Sequence, residues 1–144
     1  MIFAERIEGP LGPTVGSPAR LCWSIVEATL VGPRISARLA APGMDWIRLD
    51  DNGNRRQDQR TQFLTEDGVP ILMHYDSALI RGDEQFTRAL ADGRETAFDD
   101  QYMRMTPQFD VGGDSYRWLT RNLFLGRGRL AGPKRIEYEV YRVS

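Results

Sequence analysis

Asp45-Trp46-Ile47-Arg48-Leu49 leads into Asp50-Asp51-Asn52-Gly53, and Gln59–Thr65 then runs through Glu66-Asp67-Gly68 into Val69–Tyr75. This stretch decides the fold. An Asn-Gly or Asp-Gly pair between two strand-like segments is a strong hairpin signal, because both residues tolerate φ > 0. Two such turns in succession predict an antiparallel meander.

The same punctuation extends outward in both directions. Upstream, Arg34–Ala40 alternates Ile35, Ala37 and Leu39 with Arg34, Ser36 and Arg38, one apolar face against one polar face. Pro42-Gly43 predicts a turn that separates it from the Asp45 strand. Leu21–Leu30 and Phe3–Glu8 read as earlier strands, and the Gly9–Pro13 and Gly16-Ser17-Pro18 segments between them read as irregular loop. Downstream, Gln101–Thr106, Leu119–Leu125 and Arg135–Val143 resume the strand pattern. In the last of these Ile136, Tyr138 and Val140 alternate with Glu137, Glu139 and Tyr141.

One segment breaks the β rhythm. Between Gly82 and Gly93, Phe86, Ala89 and Leu90 fall at i, i+3 and i+4, Asp83 suits an N-cap, and Gly93 stands where a helix stops. The expectation is therefore mainly all-β: seven to nine short antiparallel strands and one short helix near residues 83–92. That count suits a single β-barrel domain over 1–144, or a sandwich. A barrel hides its edges and at about eight strands can hold one small ligand.

Composition narrows the class further. The 144 residues carry 19 basic and 20 acidic side chains, a net charge of −1, which gives no global field for nucleic acid or an anionic membrane. No apolar run approaches the ~20 residues needed to span a bilayer. The first residues, Met1–Glu8, lack the apolar stretch of a signal peptide, so a cytoplasmic location is expected. One cysteine, Cys22, and one histidine, His74, supply neither a disulfide nor a zinc-ligand set, so no metal is expected. Gly126-Arg127-Gly128-Arg129 lacks the Lys-Ser/Thr of a phosphate loop and reads as a β-turn, so no nucleotide cofactor is expected either. Of the 19 basic residues only Lys134 is lysine, which reads either as GC-rich coding bias or as selection, at particular arginines, for bidentate anion recognition.

The polar-aromatic segments carry what chemistry the chain offers. In Tyr102-Met103-Arg104-Met105-Thr106 a period of two sets Tyr102, Arg104 and Thr106 on one face and both methionines on the other. That polar face suits either solvent or a lumen. Arg60 lies between Asp58 and Gln62 on one face, with Thr61 and Phe63 on the other. Asp45-Trp46 and Tyr116-Arg117-Trp118-Leu119-Thr120 add a carboxylate and further aromatic surface. His74 is the one side chain whose ordinary titration lies near neutral pH.

Laid out in this order, the segments resemble the family known as domain of unknown function 3237, or uncharacterised protein family 0311. The resemblance runs nearly end to end. It begins with Val15-Gly16 and the Gly32-Pro33 turn, and continues through Gly43-Met44-Asp45-Trp46, Arg60 and Thr65-Glu66-Asp67-Gly68. It is most specific at Tyr102-x-Arg104-x-Thr106-Pro107-x-Phe109, Tyr116-x-Trp118-Leu119 and Phe124-x-Gly126-x-Gly128. It implies a small antiparallel barrel, lipocalin- or streptavidin-like in outline and often self-associated, with small cyclic or aromatic ligands. It also implies pocket positions at Asp45, Trp46, Arg60, Arg104, Thr106 and Trp118. Thr120 stands where the family usually has Asn, and Thr61 where it often has an aromatic residue.

Alternation and resemblance together predict Arg104 and Thr106 inside the barrel and Met103 and Met105 outside. Asp45 is expected beside Arg60 or Arg104 and ionised near neutral pH, since a guanidinium lowers a carboxylate pKa. The candidate catalytic residues are Asp45, Arg60 and Arg104, with His74 as the next base. Trp46, Tyr102, Thr106, Trp118 and Thr120 are the candidate ligand contacts. The expected function is a small-molecule-binding barrel working as a cofactor-independent lyase, isomerase or cyclase on a hydrophobic cyclic or aromatic metabolite. The alternatives are a non-catalytic barrel for a similar, carboxylate-bearing ligand, and a structural oligomeric module held by internal Asp–Arg ion pairs. A homodimer or higher oligomer is expected, motivated by the outward methionines.

Overall fold

The computed structural model describes residues 1–16 and 18–144; Ser17, and with it the middle of the Gly16-Ser17-Pro18 loop, lies outside the described residues. Nine strands follow in order: β1 (Ile2–Leu11), β2 (Ala19–Gly32), β3 (Ile35–Leu49), β4 (Arg55–Thr65), β5 (Pro70–Ile80), β6 (Met103–Met105), β7 (Gln108–Val111), β8 (Phe124–Gly132) and β9 (Arg135–Arg142). Helix α1 (Glu84–Asp92) separates β5 from β6, and a 3-10 helix over Asp114–Leu119 precedes β8.

All pairings are antiparallel, in the order β4-β3-β2-β1-β9-β8-β6-β5, and β4 pairs with β5 to close the ring. β6 pairs with the Leu79–Ile80 end of β5 and β7 with its Ile71–His74 end. The two act as one interrupted strand. The result is the expected closed barrel of eight strands with a short helix.

Both glycine hairpins form as the sequence predicts, with Gly53 at φ 77° and Gly68 at φ 83°. Pro42-Gly43, in contrast, is not a turn. β3 passes straight through it with register shifts against β4 between Leu39 and Met44. Bulges absorb the proline without ending the strand. Gly43 is also needed for space, because a Cβ there would stand 2.8 Å from the Arg60 carbonyl oxygen. Likewise β1 continues through Gly9 and Pro10 to Leu11 by a register shift, where a loop was expected.

Helix α1 begins after Asp83 and ends at Gly93 in the left-handed conformation. Asp83 caps through its backbone only, since Thr87 donates to its carbonyl oxygen while its side chain makes no cap hydrogen bond. Phe86 and Ala89 are buried and close one end of the barrel. Residues Asp114–Leu119 form the 3-10 helix, where a strand starting at Leu119 was expected. Its Leu119 is buried and its Trp118 packs edge-to-face on Phe124 at 6.0 Å, next to the Phe109–Phe124 pair.

The barrel interior is filled. Phe3, Trp23, Ile25, Ile47, Phe63, Met73, Tyr75 and Tyr138 are among its fully buried side chains. Met103 and Met105 belong to this core, which reverses the expected orientation of their strand. The cause lies on β8, whose Gly126 and Gly128 leave room for them. A Cβ on Gly128 would fall 2.2 Å from the Met103 sulfur, and one on Gly126 2.8 Å from the Met105 methyl. The Gly-Arg-Gly-Arg run is therefore a strand with its glycines turned inward, not a turn.

Candidate functional site

The alternation of β4 sets Gln57, Gln59, Thr61, Phe63 and Thr65 inside the barrel and Arg56, Arg60 and Gln62 outside. Arg60 is thus on the outer face, where it pairs in register with His74, itself half-buried on the outside of β5. Arg104 also lies outside. Its guanidinium reaches back to the Met103 carbonyl oxygen at 3.0 Å and sits 4.8 Å from the Tyr102 ring centre, while Arg81 covers the same ring at 4.0 Å. Thr106 and Thr120 are exposed, and Trp46 is half exposed on the face of β3 opposite Asp45. Trp118 lies under the Arg34 guanidinium at the end of the barrel remote from α1. Of the residues proposed from sequence, only Asp45 enters the lumen.

What surrounds Asp45 is a network without a cation. Gln57 Nε2 donates to Asp45 Oδ2 at 2.7 Å, and the Tyr138 hydroxyl donates to Gln57 Oε1 at 3.2 Å. A second chain is built the same way. Gln59 Nε2 donates to Glu5 Oε2 at 2.8 Å, and the Tyr75 hydroxyl donates to Gln59 Oε1 at 2.5 Å. The tyrosine rings are 6.3 Å apart, and Gln59 also donates to Thr61 Oγ1 at 3.1 Å. Each carboxyl is therefore held by a neutral amide that a tyrosine orients.

The other oxygen of each carboxyl, Glu5 Oε1 and Asp45 Oδ1, is buried and has no hydrogen-bond partner, and the same holds for Trp23 Nε1. Burial pushes both acids up. Loss of solvent raises Asp45 to about 7, with hydrogen bonds from Gln57 and the Asp58 backbone pulling the other way. Loss of solvent, with the Asp45 charge adding to it, raises Glu5 to about 8 against the Gln59 hydrogen bond. The expected pairing of Asp45 with an arginine, and its low pKa, are both overturned. Among the described residues no arginine lies within salt-bridge distance of Asp45, so desolvation sets its proton affinity.

Glu5, Gln57, Gln59, Tyr75, Tyr138 and Trp23 were not singled out from the sequence. The available signal was the period-two run Gln57-x-Gln59-x-Thr61-x-Phe63, which shares its face with an apolar residue while Arg60 shares the other. Among the described residues no group of three or more His, Cys, Asp or Glu is placed to hold a metal ion, and no helix is long and apolar enough to cross a membrane.

Fold and site together define a closed eight-stranded barrel with a buried, uncompensated carboxyl pair at its centre. The family model for proteins of unknown function DUF3237 matches residues 3–143, and the chain belongs to that family. No curated protein matches it. Among solved structures, it is similar to a conserved protein of unknown function from Rhodopseudomonas palustris, with TM-score 0.88, 23% identity, and 99% of this chain and 93% of that one covered. It is also similar to a β-barrel-like protein from Acinetobacter baumannii, with TM-score 0.77, 24% identity and coverage of 99% and 92%. An enzyme from Penicillium herquei shares the fold at TM-score 0.68 and 16% identity, with 99% and 91% covered.

Proposed function

We propose that the barrel interior carries acid–base chemistry on a small hydrophobic cyclic or aromatic molecule, as a cofactor-independent lyase, isomerase or cyclase, with packed core side chains moving aside to admit it. The observation that carries this reading is the pair Asp45 and Glu5: both buried, both without a cation, each with one free oxygen. Burying carboxyls without counter-charges costs stability, and perturbed pairs of this kind concentrate at functional sites.

Their environments set them slightly apart, at about 7 for Asp45 and about 8 for Glu5. Near neutral pH the coupled pair holds a proton on one carboxyl while the other is ionised, and we assign the base to Asp45 and the acid to Glu5. An ionised Asp45 Oδ1 is a base in a low-dielectric site, and protonated Glu5 Oε1 is an acid. A proton removed from one carbon of a bound ring by Asp45 can be replaced at another atom by Glu5, which leaves the pair ready to reset through exchange of one proton. The glutamines fix both carboxyls without adding charge, so proton affinity stays near the operating pH. That an enzyme from Penicillium herquei shares the fold is consistent with a catalytic barrel.

The test is solvent exchange. Enolisable cyclic ketones and substituted phenols are incubated with the protein in deuterium oxide and followed by proton NMR. Deuterium incorporation by the wild type, lost in Asp45→Asn and Glu5→Gln variants that melt cooperatively, supports the reading. Saturable binding without exchange would instead make the barrel a non-catalytic carrier.

A further inference from the structure

We infer that Arg55 is the anion-recognition residue of the barrel, and that the molecule taken into it carries a carboxylate. The proposal rests on the barrel interior as the binding site, but it does not need the acid–base step.

Arg55 opens β4 and shares the inward parity of Gln57 and Gln59, while its neighbour Arg56 is exposed and pairs with Asp50 at 3.5 Å. Across the sheet Arg55 stands in register with Leu49 and Ile80, and Leu49 with Ala19, so its rung of the barrel is otherwise apolar. Its guanidinium lies 5.7 Å from the ring centre of Phe86, the buried residue with which α1 closes this end. Arg55 Nε is buried and has no hydrogen-bond partner, and among the described residues no carboxylate lies within salt-bridge distance of the head. Loss of solvent lowers its proton affinity, as expected of a cation taken out of water without a counter-ion.

A half-buried guanidinium with an apolar floor and an idle Nε–H matches one planar anion, which it can grip through two parallel N–H donors. The charge balance selects the class. Gln57, two residues and about 7 Å along β4, holds Asp45, so a ligand with its head at Arg55 reaches toward the carboxyl pair. A dianion such as phosphate would set two charges against one guanidinium with acidic groups beyond it. A monocarboxylate on a ring fits both the single cation and the aromatic rung beside Phe86. Arg55 remains partly accessible, whereas Glu5 and Asp45 are sealed within the filled interior, so the polar head meets Arg55 at the rim and the ring enters by displacing core side chains beside Phe86.

The experiment titrates the whole chain with benzoate, phenylacetate and cyclohexanecarboxylate, with benzyl alcohol and inorganic phosphate as neutral and dianionic probes, by calorimetry and melting temperature. A carboxylate is expected to bind and raise the melting temperature, with benzyl alcohol and phosphate much weaker. Arg55→Gln should weaken that carboxylate about tenfold or more and Arg55→Lys by less, since lysine keeps the charge but not the fork. Arg60→Gln and Arg104→Gln should bind as the wild type does. Arg55→Gln removes an unpartnered cation, so it should fold, and its own melting curve checks this. Equal carboxylate affinity in Arg55→Gln, or no carboxylate response in the wild type, overturns the proposal. Asp45→Asn separates the two readings: carboxylate binding that persists there without any deuterium exchange in the wild type leaves Arg55 standing and removes the acid–base function.

Discussion

Trp23 and Asp45 are register partners on β2 and β3, and each carries a buried polar atom that no protein group satisfies. One is a donor, the indole Nε1–H, and the other is an acceptor, the carboxylate Oδ1.

Trp23→Phe tests whether that donor is idle in the ligand-free protein. Removing an unsatisfied buried N–H returns about 1–3 kcal/mol, while losing the second ring costs a similar amount of packing. The expected result is a urea midpoint equivalent to within about 1 kcal/mol of the wild type. A loss of about 3 kcal/mol or more would show that the indole N–H is paired in solution.

The carboxyl pair makes stability depend on pH in an unusual direction. Asp45 rises from 3.8 to about 7 and Glu5 from 4.5 to about 8 on folding, so between those limits the native state holds more protons than the unfolded state. Stability must then fall as pH rises from about 4 to about 8, by up to about 1.4 kcal/mol per pH unit for each group, and level off above. Paired surface carboxylates give the opposite slope. Denaturant midpoints measured from pH 4 to 9 should decline across that window, and Asp45→Asn and Glu5→Gln should each flatten the decline and exceed the wild type at pH 8.

The self-association expected from outward methionines loses that basis, because both are internal, and its test moves to the exposed apolar residues of β3 and β5. Met44 and Trp46 are 47% and 50% exposed on β3, and Leu72 is 47% exposed on β5. Exposed apolar side chains on one side of a barrel can form a dimer surface. Light scattering of the wild type should give at least a dimer at micromolar concentration, and Trp46→Glu combined with Leu72→Glu should give a monomer of unchanged melting behaviour. A wild-type monomer at that concentration would end this expectation.

The sequence disclosed the architecture better than the site, and the reason is physical. Hairpins are local events, so Asn52-Gly53 and Asp67-Gly68 announce themselves through glycine's access to positive φ. Pro42-Gly43 misled because a bulge and a turn use the same residues. Facing is harder, because alternation says which residues share a side and not which side is inside. The pattern separates Arg60 from Thr61 and Phe63 correctly, but the lumen falls to the arginines only if their charge requires a partner there. The neighbour that decides the facing of β6 is β8, whose inward glycines lie 21 and 25 residues along the chain from the methionines they admit. The pairing of Glu5 with Gln59 spans the barrel from β1 to β4 and leaves no local trace.

Those glycines give the last prediction. Gly126 and Gly128 lie inside β8, where a strand loses side-chain packing and backbone restriction for each glycine it keeps. Their φ values are ordinary, so conformation does not require them; space does. An added Cβ at Gly128 would meet the Met103 sulfur at 2.2 Å and Cε1 of the Tyr138 ring at 2.7 Å. Met103 can shift, but Tyr138 is fixed by its hydrogen bond to Gln57 and its stacking on Phe3 at 5.9 Å. At Gly126 all three nearest atoms belong to the flexible Met105 side chain. Gly128→Ala should therefore destabilise by about 1–3 kcal/mol, while Gly126→Ala should cost clearly less. Because the shift at Tyr138 passes through Gln57 to Asp45, Gly128→Ala should also alter the pH dependence of stability, which Gly126→Ala should leave intact. Urea unfolding of the two variants at pH 5 and pH 8 checks both claims, and equal penalties with identical pH profiles would show that Tyr138 yields as easily as a methionine.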